Sequence, residues 1–225
     1  HLVKPVVVKF DDIKTSGSHV IVENSFLKSK SVIEYYLLPD DDFLRINIKV
    51  EMNDKKIVVK YFAPFELQSE FVVSDAPYGT VTRSRVPKSE MQYAKFEITK
   101  HQWIDISDED FGVAFLSNDR YGAFANHLGM GITLVRTPLM PTSPWFPTRL
   151  LISKKDRQKY VDMGSHQFDL ALYPHEKTWK EANVVQKAQI YNLPSQIAES
   201  KMIVQTQLQA INPVIKENVN KLINP

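Results

Sequence analysis

Residues 43–52, with the sequence FLRINIKVEM, alternate between two kinds of side chain. The even-numbered positions are all apolar, and the odd-numbered positions after Phe43 are all polar or charged. Because successive side chains of a strand point to opposite faces, this pattern predicts a strand with one buried and one wet face. Asn53 and Asp54 follow as turn formers, and residues 57–63 form a second apolar run. The two runs predict an antiparallel hairpin.

Strand-like runs recur along the rest of the chain, separated by turn-forming residues. They lie at residues 6–10, 19–23, 31–38, 70–73, 79–83, 94–99, 103–106, 113–117, 131–135 and 168–173. Regular spacing of this kind favours a sandwich or barrel over alternating strands and helices. We therefore expect an all-β fold, a large antiparallel β-sandwich.

Two stretches depart from the strand pattern. Residues 137–160 hold four prolines followed by a charged run, which predicts a long surface loop. Helix-forming residues return from about residue 178, and residues 211–223 have the apolar spacing of one helix face. We expect a β domain over residues 1–200 and a short helical or irregular tail over residues 201–225.

The charge and the composition of the chain limit which kinds of partner are expected. Lys plus Arg number 28 against 26 Asp plus Glu, so the net charge of +2 gives no reason to expect nucleic acid as a partner. The lack of cysteine excludes disulfides and thiolate metal sites. No apolar run approaches the roughly 20 residues that span a bilayer, and we expect no membrane partner. The first residue is His1 rather than Met, and we expect the sequence to begin inside a longer protein.

Histidines are the first place to look for a metal site. His166 and His175 are nine positions apart, with Asp162 nearby. On one strand an odd separation puts two side chains on opposite faces, so these histidines can share an ion only if the chain turns at Pro174. We favour a role in turns and backbone hydrogen bonds, and we expect no metal and no cofactor in this chain.

Acidic residues are frequent, but none forms a convincing catalytic pair. A retaining glycosidase needs two carboxylates that flank the sugar, one as acid and one as nucleophile. The acidic runs at residues 40–42 and 105–110 lie in turn-like segments, where such residues are typical of caps and solvated surface. The chain also has neither a Gly-x-Ser-x-Gly motif nor a glycine-rich phosphate loop.

Aromatic and cationic side chains are better candidates for sugar contact, because arginine forks bond paired hydroxyls and pyranose rings stack on aromatic faces. The candidates are Tyr78, Arg83, Arg120, Tyr121, Arg136 and Trp145. The same residue types are ordinary in cores and rims. Two alternative functions stay open: a free-standing carbohydrate-binding module, and a mutarotase-like sugar epimerase that uses His101 with Glu97 on one strand face.

A family resemblance rests on a series of segments taken in order. They are residues 54–63 (DKKIVVKYFA), 78–83 (YGTVTR), 95–97 (KFE), 103–107 (WIDIS), 111–122 (FGVAFLSNDRYG), 134–138 (LVRTP), 162–166 (DMGSH) and 172–175 (LYPH). Their order and spacing resemble the C-terminal β half of α-mannosidases of glycoside hydrolase family 38. The resemblance is strongest to the bacterial, archaeal and cytosolic branch.

The resemblance implies a fold and an activity. The fold would be the supersandwich of the galactose-mutarotase type. The whole enzyme would release α-linked mannose from oligosaccharides with retention, using an Asp nucleophile and zinc or a similar divalent ion in an upstream barrel. That barrel carries a His-x-Asp metal motif, which this sequence lacks. The chain is therefore expected to brace the barrel and to rim its cleft without catalysing the reaction.

The resemblance also suggests particular residues and a compartment. The residues expected at the cleft or at an interface are Arg83, Asp119, Arg120, Tyr121 and His166. Tight backbone turns are expected at Gly79, Gly112, Gly122 and Gly164. The expected partners are the upstream catalytic domain and an α-mannoside oligosaccharide, with self-association left open. The expected location is the cytoplasm, with which the lack of cysteine is compatible.

Overall fold

The computed structural model describes residues 12–139 and 159–193. In these ranges the chain forms thirteen strands and two helices. The strands are β1 (Asp12–Ser16), β2 (His19–Phe26), β3 (Ser29–Tyr36), β4 (Leu44–Met52), β5 (Val58–Pro64), β6 (Phe71–Ala76), β7 (Gly79–Ser84), β8 (Glu97–Thr99), β9 (Trp103–Ser107), β10 (Phe111–Ser117), β11 (Gly122–Asn126), β12 (Gly129–Arg136) and β13 (Gly164–Glu176). The helices are α1 (Glu90–Ala94) and α2 (Val184–Asn192).

The strands form two antiparallel sheets. The larger has nine strands in the order β1-β2-β3-β4-β13-β10-β9-β6-β7, and the smaller has four in the order β5-β12-β11-β8. One apolar core draws residues from both sheets, including Ile48 and Phe168 of the larger and Met130 and Ile132 of the smaller. The predicted all-β antiparallel sandwich is therefore confirmed.

The alternation in residues 43–52 fixes which face of β4 meets this core. Ile46 pairs with Leu170 of β13, and Ile48 pairs with Phe168. All four side chains are buried, whereas Lys49 on the opposite face is exposed. Period-2 patterning thus gave both the strand and its orientation, because a shift of one residue would expose the whole apolar set.

The predicted hairpin between residues 43–52 and 57–63 is wrong. β4 pairs with β3 and β13 in the larger sheet, whereas β5 pairs with β12 in the smaller one. The link between them therefore crosses from one sheet to the other, and Asp54 anchors it by accepting hydrogen bonds from Ser29 Oγ at 2.6 Å and Lys28 N at 2.9 Å. Both strands bury an apolar face in the same core, so their local patterns do not reveal that they belong to different sheets.

Other predicted elements differ in smaller ways. β1 and β11 were not predicted, and the expected strand at residues 94–99 begins only at Glu97 because α1 precedes it. Ser89 caps α1 by accepting a hydrogen bond from Gln92 N. The predictions for residues 6–10, most of the 137–160 loop and the tail at 201–225 lie outside the described residues. At the ends of that loop, Leu139 and Tyr160 form an antiparallel bridge.

The chain divides into two compact units, residues 1–188 and 189–225. In the first unit, the outer face of the larger sheet is itself buried over β9, β10 and β13. Trp179 packs on Trp103 there, with ring centroids 5.2 Å apart. Tyr173 Oη donates to the carbonyl of Ala182 at 3.3 Å. The described part of the second unit, residues 189–193, completes α2 and the residue after it.

Candidate functional site

A buried polar network lies on this covered outer face. His175 of β13 and Asp105 of β9 flank the central strand β10. The distance from His175 Nε2 to Asp105 Oδ2 is 2.7 Å, and the two side chains are 1% and 0% exposed. Ser107 Oγ donates to the other carboxylate oxygen, Oδ1, at 2.6 Å, and Trp179 N donates to Ser107 Oγ at 3.3 Å. The network therefore ties strands β9 and β13 and the segment before α2 together across β10.

Gly112 makes the network sterically feasible. On β10 it pairs with Ser107 on one side and His175 on the other. A Cβ atom at this position would lie 2.3 Å from His175 Cε1 and 2.5 Å from Ser107 Cβ. The expectation of a tight turn at Gly112 is therefore wrong, because the residue lies within strand β10. The side chains of Ser107 and His175 pass so close to it that no residue larger than glycine fits there. Gly164, at the start of β13, does adopt a positive φ of 101°.

The Ser107–Asp105–His175 arrangement is not a catalytic triad. In a triad the histidine lies between the serine and the carboxylate, so that it can take the hydroxyl proton. Here Asp105 lies in the middle and accepts hydrogen bonds from both neighbours, which leaves Ser107 without a base. The burial of Asp105 and His175 also keeps substrate away from these two groups. The arrangement supports packing and strand alignment, not nucleophilic catalysis.

A second polar neighbourhood surrounds the β10–β11 turn. Lys100 is 1% exposed, and its Nζ donates to Ser117 Oγ and to the carbonyl of His101. Burial lowers the pKa of this amine to about 8, although the carboxylates of Asp75 and Asp119 act in the opposite direction. The amine therefore loses its proton at a lower pH than an ordinary lysine does.

Arg120 extends from the same turn into the protein. Its Nη1 donates to the carbonyl of Leu134 at 2.9 Å, and its Nη2 donates to Asp119 Oδ2 at 3.0 Å. Its Cζ lies 4.6 Å from the centroid of the Phe168 ring, and His166 stacks on that ring at 6.1 Å. Among the described residues, Nε of Arg120 is buried without a hydrogen-bond partner.

Four of the five expected site residues therefore lie in one neighbourhood: Asp119, Arg120, Tyr121 and, through the Phe168 ring, His166. Tyr121 is 53% exposed, and its ring stacks on His101 with centroids 5.8 Å apart. We call Lys100, His101, Asp119, Arg120 and Tyr121 the turn cluster. Lys100 is the member that the sequence analysis missed, because a lysine after a strand gives no sign that it will be buried.

Arg83 lies at the other end of β8. Its Nη1 donates to the carbonyl of Lys95, two residues before β8 begins, whereas Tyr121 accepts a hydrogen bond from Lys100 N just after β8 ends. Of the remaining aromatic and cationic candidates, Tyr78 is at the β6–β7 hairpin tip and Arg136 ends β12. Trp145 lies outside the described residues.

The histidine and carboxylate pairs weighed for chemistry are not brought together. His166 and His175 share β13 on opposite faces, and the strand continues through Pro174 without a turn. The proposed epimerase pair is also wrong, because His101 follows β8 and stacks on Tyr121, whereas Glu97 lies in β8 and forms an ion pair with Lys60. Across residues 12–139 and 159–193, no three His, Asp or Glu side chains are grouped to hold a metal ion.

Comparison with known proteins now identifies the family. The family model "Glycosyl hydrolases family 38 C-terminal domain" matches residues 7–143, more than half of the chain. The chain belongs to this family. The match of the family 38 C-terminal domain includes Asp105, Ser107, Gly112 and the whole turn cluster, whereas His166 and His175 lie beyond its last residue.

Relatives and solved structures agree with this membership. Mouse alpha-mannosidase 2C1 is 28% identical over 152 residues, which are 68% of this chain and 13% of the relative. A Saccharomyces cerevisiae alpha-mannosidase is 23% identical over 158 residues, again 13% of its length. The crystal structure of an alpha-mannosidase from Enterococcus faecalis superposes with a TM-score of 0.66 at 12% identity, covering 83% of this chain and 24% of the other. The family 38 chain thus spans about one eighth of these curated relatives.

The similarity in three dimensions shows the fold only, because the sequence identity is low.

Within the described ranges, neither helix has the length and apolar character needed to cross a bilayer. Segments 103–107 and 172–175 contribute Asp105, Ser107 and His175 to the buried network, and segment 111–122 contributes Asp119, Arg120 and Tyr121 to the turn cluster.

Proposed function

We propose that this chain is the C-terminal β domain of a retaining α-mannosidase that releases α-linked mannose from oligosaccharides. The observation that carries the proposal is the match of the family 38 C-terminal domain over residues 7–143. The names of the mouse and yeast relatives, both alpha-mannosidases, support the activity of the whole protein. The domain itself would brace the catalytic part and would not carry out the reaction.

The divalent ion implied for the enzyme finds no ligand set in the part of the chain described. A zinc site needs three or four His, Cys or carboxylate ligands on one ion. The chain has no cysteine, and the His, Asp and Glu side chains of the described ranges form no such group. These residues are therefore not expected to bind the ion or to take part in the reaction. The ion and the nucleophile would come from the catalytic part of the protein.

Exposed apolar side chains on the β6–β7 hairpin and α1 support a docking role. Phe71, Met91 and Tyr93 are 52%, 68% and 64% exposed, and Tyr78 is fully exposed. Tyr78 has a φ of 69° at the second position of a two-residue turn after Pro77, where glycine is favoured. A fully exposed aromatic ring on a strained backbone is unfavourable for an isolated domain. We propose that the hairpin contacts the catalytic part of the protein.

The turn cluster is proposed to form part of the cleft rim. Arg120 is held by Leu134, Asp119 and the Phe168 ring, which fixes the turn that bears the exposed Tyr121 ring. Rigid support of this kind is what a substrate-facing aromatic side chain needs. His166 would contribute through its stacking on Phe168. Arg83 would act separately, near the proposed docking hairpin.

The compartment and the limits of the β domain are part of the same proposal. A cytoplasmic location fits the absence of cysteine and the resemblance to the cytosolic branch of the family. The β domain is proposed to extend to about residue 200, with a tail beyond it. Self-association is left to measurement, because it does not follow from the similarity.

The test has two arms that use an aryl α-mannoside as substrate. The purified 225-residue chain, supplied with Zn²⁺ or Co²⁺ at several pH values, should show no turnover. Mouse alpha-mannosidase 2C1 lacking the similar segment should regain activity when this chain is supplied with it, and less so with Tyr78→Gly. Turnover by the chain alone would contradict the proposal, since a complete site would then exist within it.

A further inference from the structure

A polar groove crosses the outer face of the larger sheet, on strands β2, β3, β4 and β13. Its volume is about 240 Å³. The lining side chains are those of His19, Glu34, Tyr36, Asn47, Lys49 and Gln167. This volume is below the roughly 300–1,000 Å³ of pockets for drug-sized ligands, so the groove suits a ligand of one or two small rings. Neither the family match nor the proposed role of the turn cluster assigns a function to this groove.

The groove is built by cross-strand pairing rather than by loops. Glu34 of β3 pairs with Asn47 of β4, and Lys49 of β4 pairs with Gln167 of β13. Asn47 Nδ2 also donates to Asp169 Oδ1 at 2.6 Å, which orients the amide. Neighbouring strands lie about 4.8 Å apart, so hydrogen-bonding groups recur at nearly the spacing of hydroxyls across a sugar ring. Strand-borne groups of this kind are positioned before a ligand arrives.

Tyr36 supplies an aromatic wall. His19 pairs with it across β2 and β3, and the two rings meet edge to face at 5.6 Å and 73°. The Tyr36 side chain is half-buried, and burial raises further the pKa of a phenol that is already protonated at neutral pH. The side chain thus offers both a ring face and a hydroxyl donor. A saccharide has apolar C–H faces beside its hydroxyl groups. It can therefore contact an aromatic ring and the neighbouring hydroxyl and amide groups at the same time.

The charge of the groove points to a neutral ligand. With histidine counted as neutral, the six lining residues hold one anion, Glu34, and one cation, Lys49. A polyanion or a polycation would gain little from this balance. The amides of Asn47 and Gln167 offer donors and acceptors together, which is what a polyhydroxylated ligand uses.

We propose that this groove is a binding site for a neutral saccharide unit. The assignment of the sugar as α-linked mannose rests on the proposed function, whereas the assignment as a neutral saccharide rests on the groove alone. In the whole enzyme the groove would hold part of an oligosaccharide. Sites with few contacts on an open sheet face bind weakly, so we expect a Kd in the millimolar range.

The experiment titrates the 225-residue chain with α-linked mannobiose, maltose and cellobiose, observed by saturation-transfer NMR and calorimetry. Gln167→Ala and Lys49→Ala are the main variants, because both side chains are exposed and their removal should leave the fold intact. Tyr36→Ala is the third variant. Glu51→Ala is the control, because Glu51 lies exposed on the same face of β4 but outside the groove lining. Far-UV circular dichroism establishes that each variant is folded.

The expected result is saturable binding of mannobiose that weakens at least about fivefold in the Gln167 and Lys49 variants and not in Glu51→Ala. No binding of any of the three sugars up to about 20 mM would overturn the site and would leave the proposed function to the activity assay. Binding that the groove variants leave unchanged would overturn it as well. Groove-dependent binding of cellobiose or maltose without mannobiose would uphold the saccharide site and count against the mannoside function.

Discussion

His175 Nε2 lies 2.7 Å from Asp105 Oδ2, although the two residues are 70 positions apart in the chain. The contact joins two of the sequence segments that carry the family resemblance, residues 103–107 and 172–175. It bridges β9 and β13 across β10, on a face that Trp179 covers. Polar residues of these two segments therefore form one buried network.

The first prediction concerns Gly112. Gly112→Ala should destabilise the chain by about 2 kcal/mol or more, because its Cβ would overlap His175 Cε1 at 2.3 Å. Gly79→Ala is the matched control: Gly79 also lies in a strand but has no atom within 4 Å of an added Cβ. We expect the control to change the free energy of unfolding by less than about 0.5 kcal/mol. Urea unfolding of both variants is the measurement, and equal losses would show that the overlap is not the cause.

The second prediction separates the hydrogen bonds of Asp105 from its charge. Asp105→Ala should cost about 3 kcal/mol or more, because it leaves the buried His175 Nε2 without its partner and removes the acceptor of the Ser107 hydroxyl. Asp105→Asn should cost clearly less. An amide can still accept from Ser107, and the histidine can shift its proton to Nδ1, which lies 3.3 Å from the carbonyl of Glu176. The free energy of unfolding is expected to decrease from wild type to the Asn variant and again to the Ala variant. An Asn variant as unstable as the Ala variant would mean that the charge itself is required.

The third prediction follows from the pKa of Lys100, which is about 8 in the folded chain against an ordinary 10.5. Below pH 8 the amine is protonated in both states, and the native state carries the cost of a buried charge. Between pH 8 and 10.5 the unfolded chain binds the proton and the native chain does not, so stability rises with pH by roughly 3 kcal/mol over the window.

Lys100→Met should remove this rise. The measurement is the free energy of unfolding of wild type and variant at several pH values from 7 to 10, taken as a difference so that other groups cancel. Lys30→Met, which changes an exposed lysine, is the control and should keep the wild-type slope. A Lys100→Met variant that gains stability with pH as steeply as wild type would contradict the buried amine.

The fourth prediction concerns Arg85, which is 2% exposed. Its guanidinium donates to four backbone carbonyls, those of Leu67, Ser69, Asn126 and His127, at 2.7–3.3 Å. Arg85→Met should cost about 2–4 kcal/mol, because these acceptors lose their donor together.

Arg85→Lys should recover only part of the lost stability, since an ammonium cannot reproduce the planar fork. Arg83→Met, two residues earlier, removes a single hydrogen bond to Lys95 and should cost less than about 1 kcal/mol. Thermal unfolding ranks the three variants. Full recovery by lysine would show that the charge matters more than the geometry.

The fifth prediction tests whether the strain at Tyr78 serves docking. Tyr78→Gly should stabilise the isolated chain by up to about 1 kcal/mol, because glycine adopts a φ of 69° without penalty. The same substitution should weaken activity restored in the complementation assay, because the exposed ring is lost. A variant that is stabilised and fully active would remove the docking role of the hairpin.

Much of the fold followed from the sequence because strand patterns are local. The alternation in residues 43–52 gave β4 and its buried face, and the runs at residues 103–106 and 113–117 gave β9 and β10. The short edge strand β1 has every residue exposed, so it has no apolar pattern to detect. The partner of β5 was missed because pairing depends on which apolar faces meet in the finished core.

For the site, the sequence indicated several of the residues but not their contacts. It predicted the all-β class, the family motifs and a shared role for Asp119, Arg120 and Tyr121, whereas it gave no sign of the buried Lys100. The assignment of β4 and β5 to different sheets, and the space that Gly112 leaves for His175, depend on long-range packing. Local periodicity encodes which face of a strand is apolar, whereas a buried carboxylate takes its partner from whatever strand the folded sheet brings beside it.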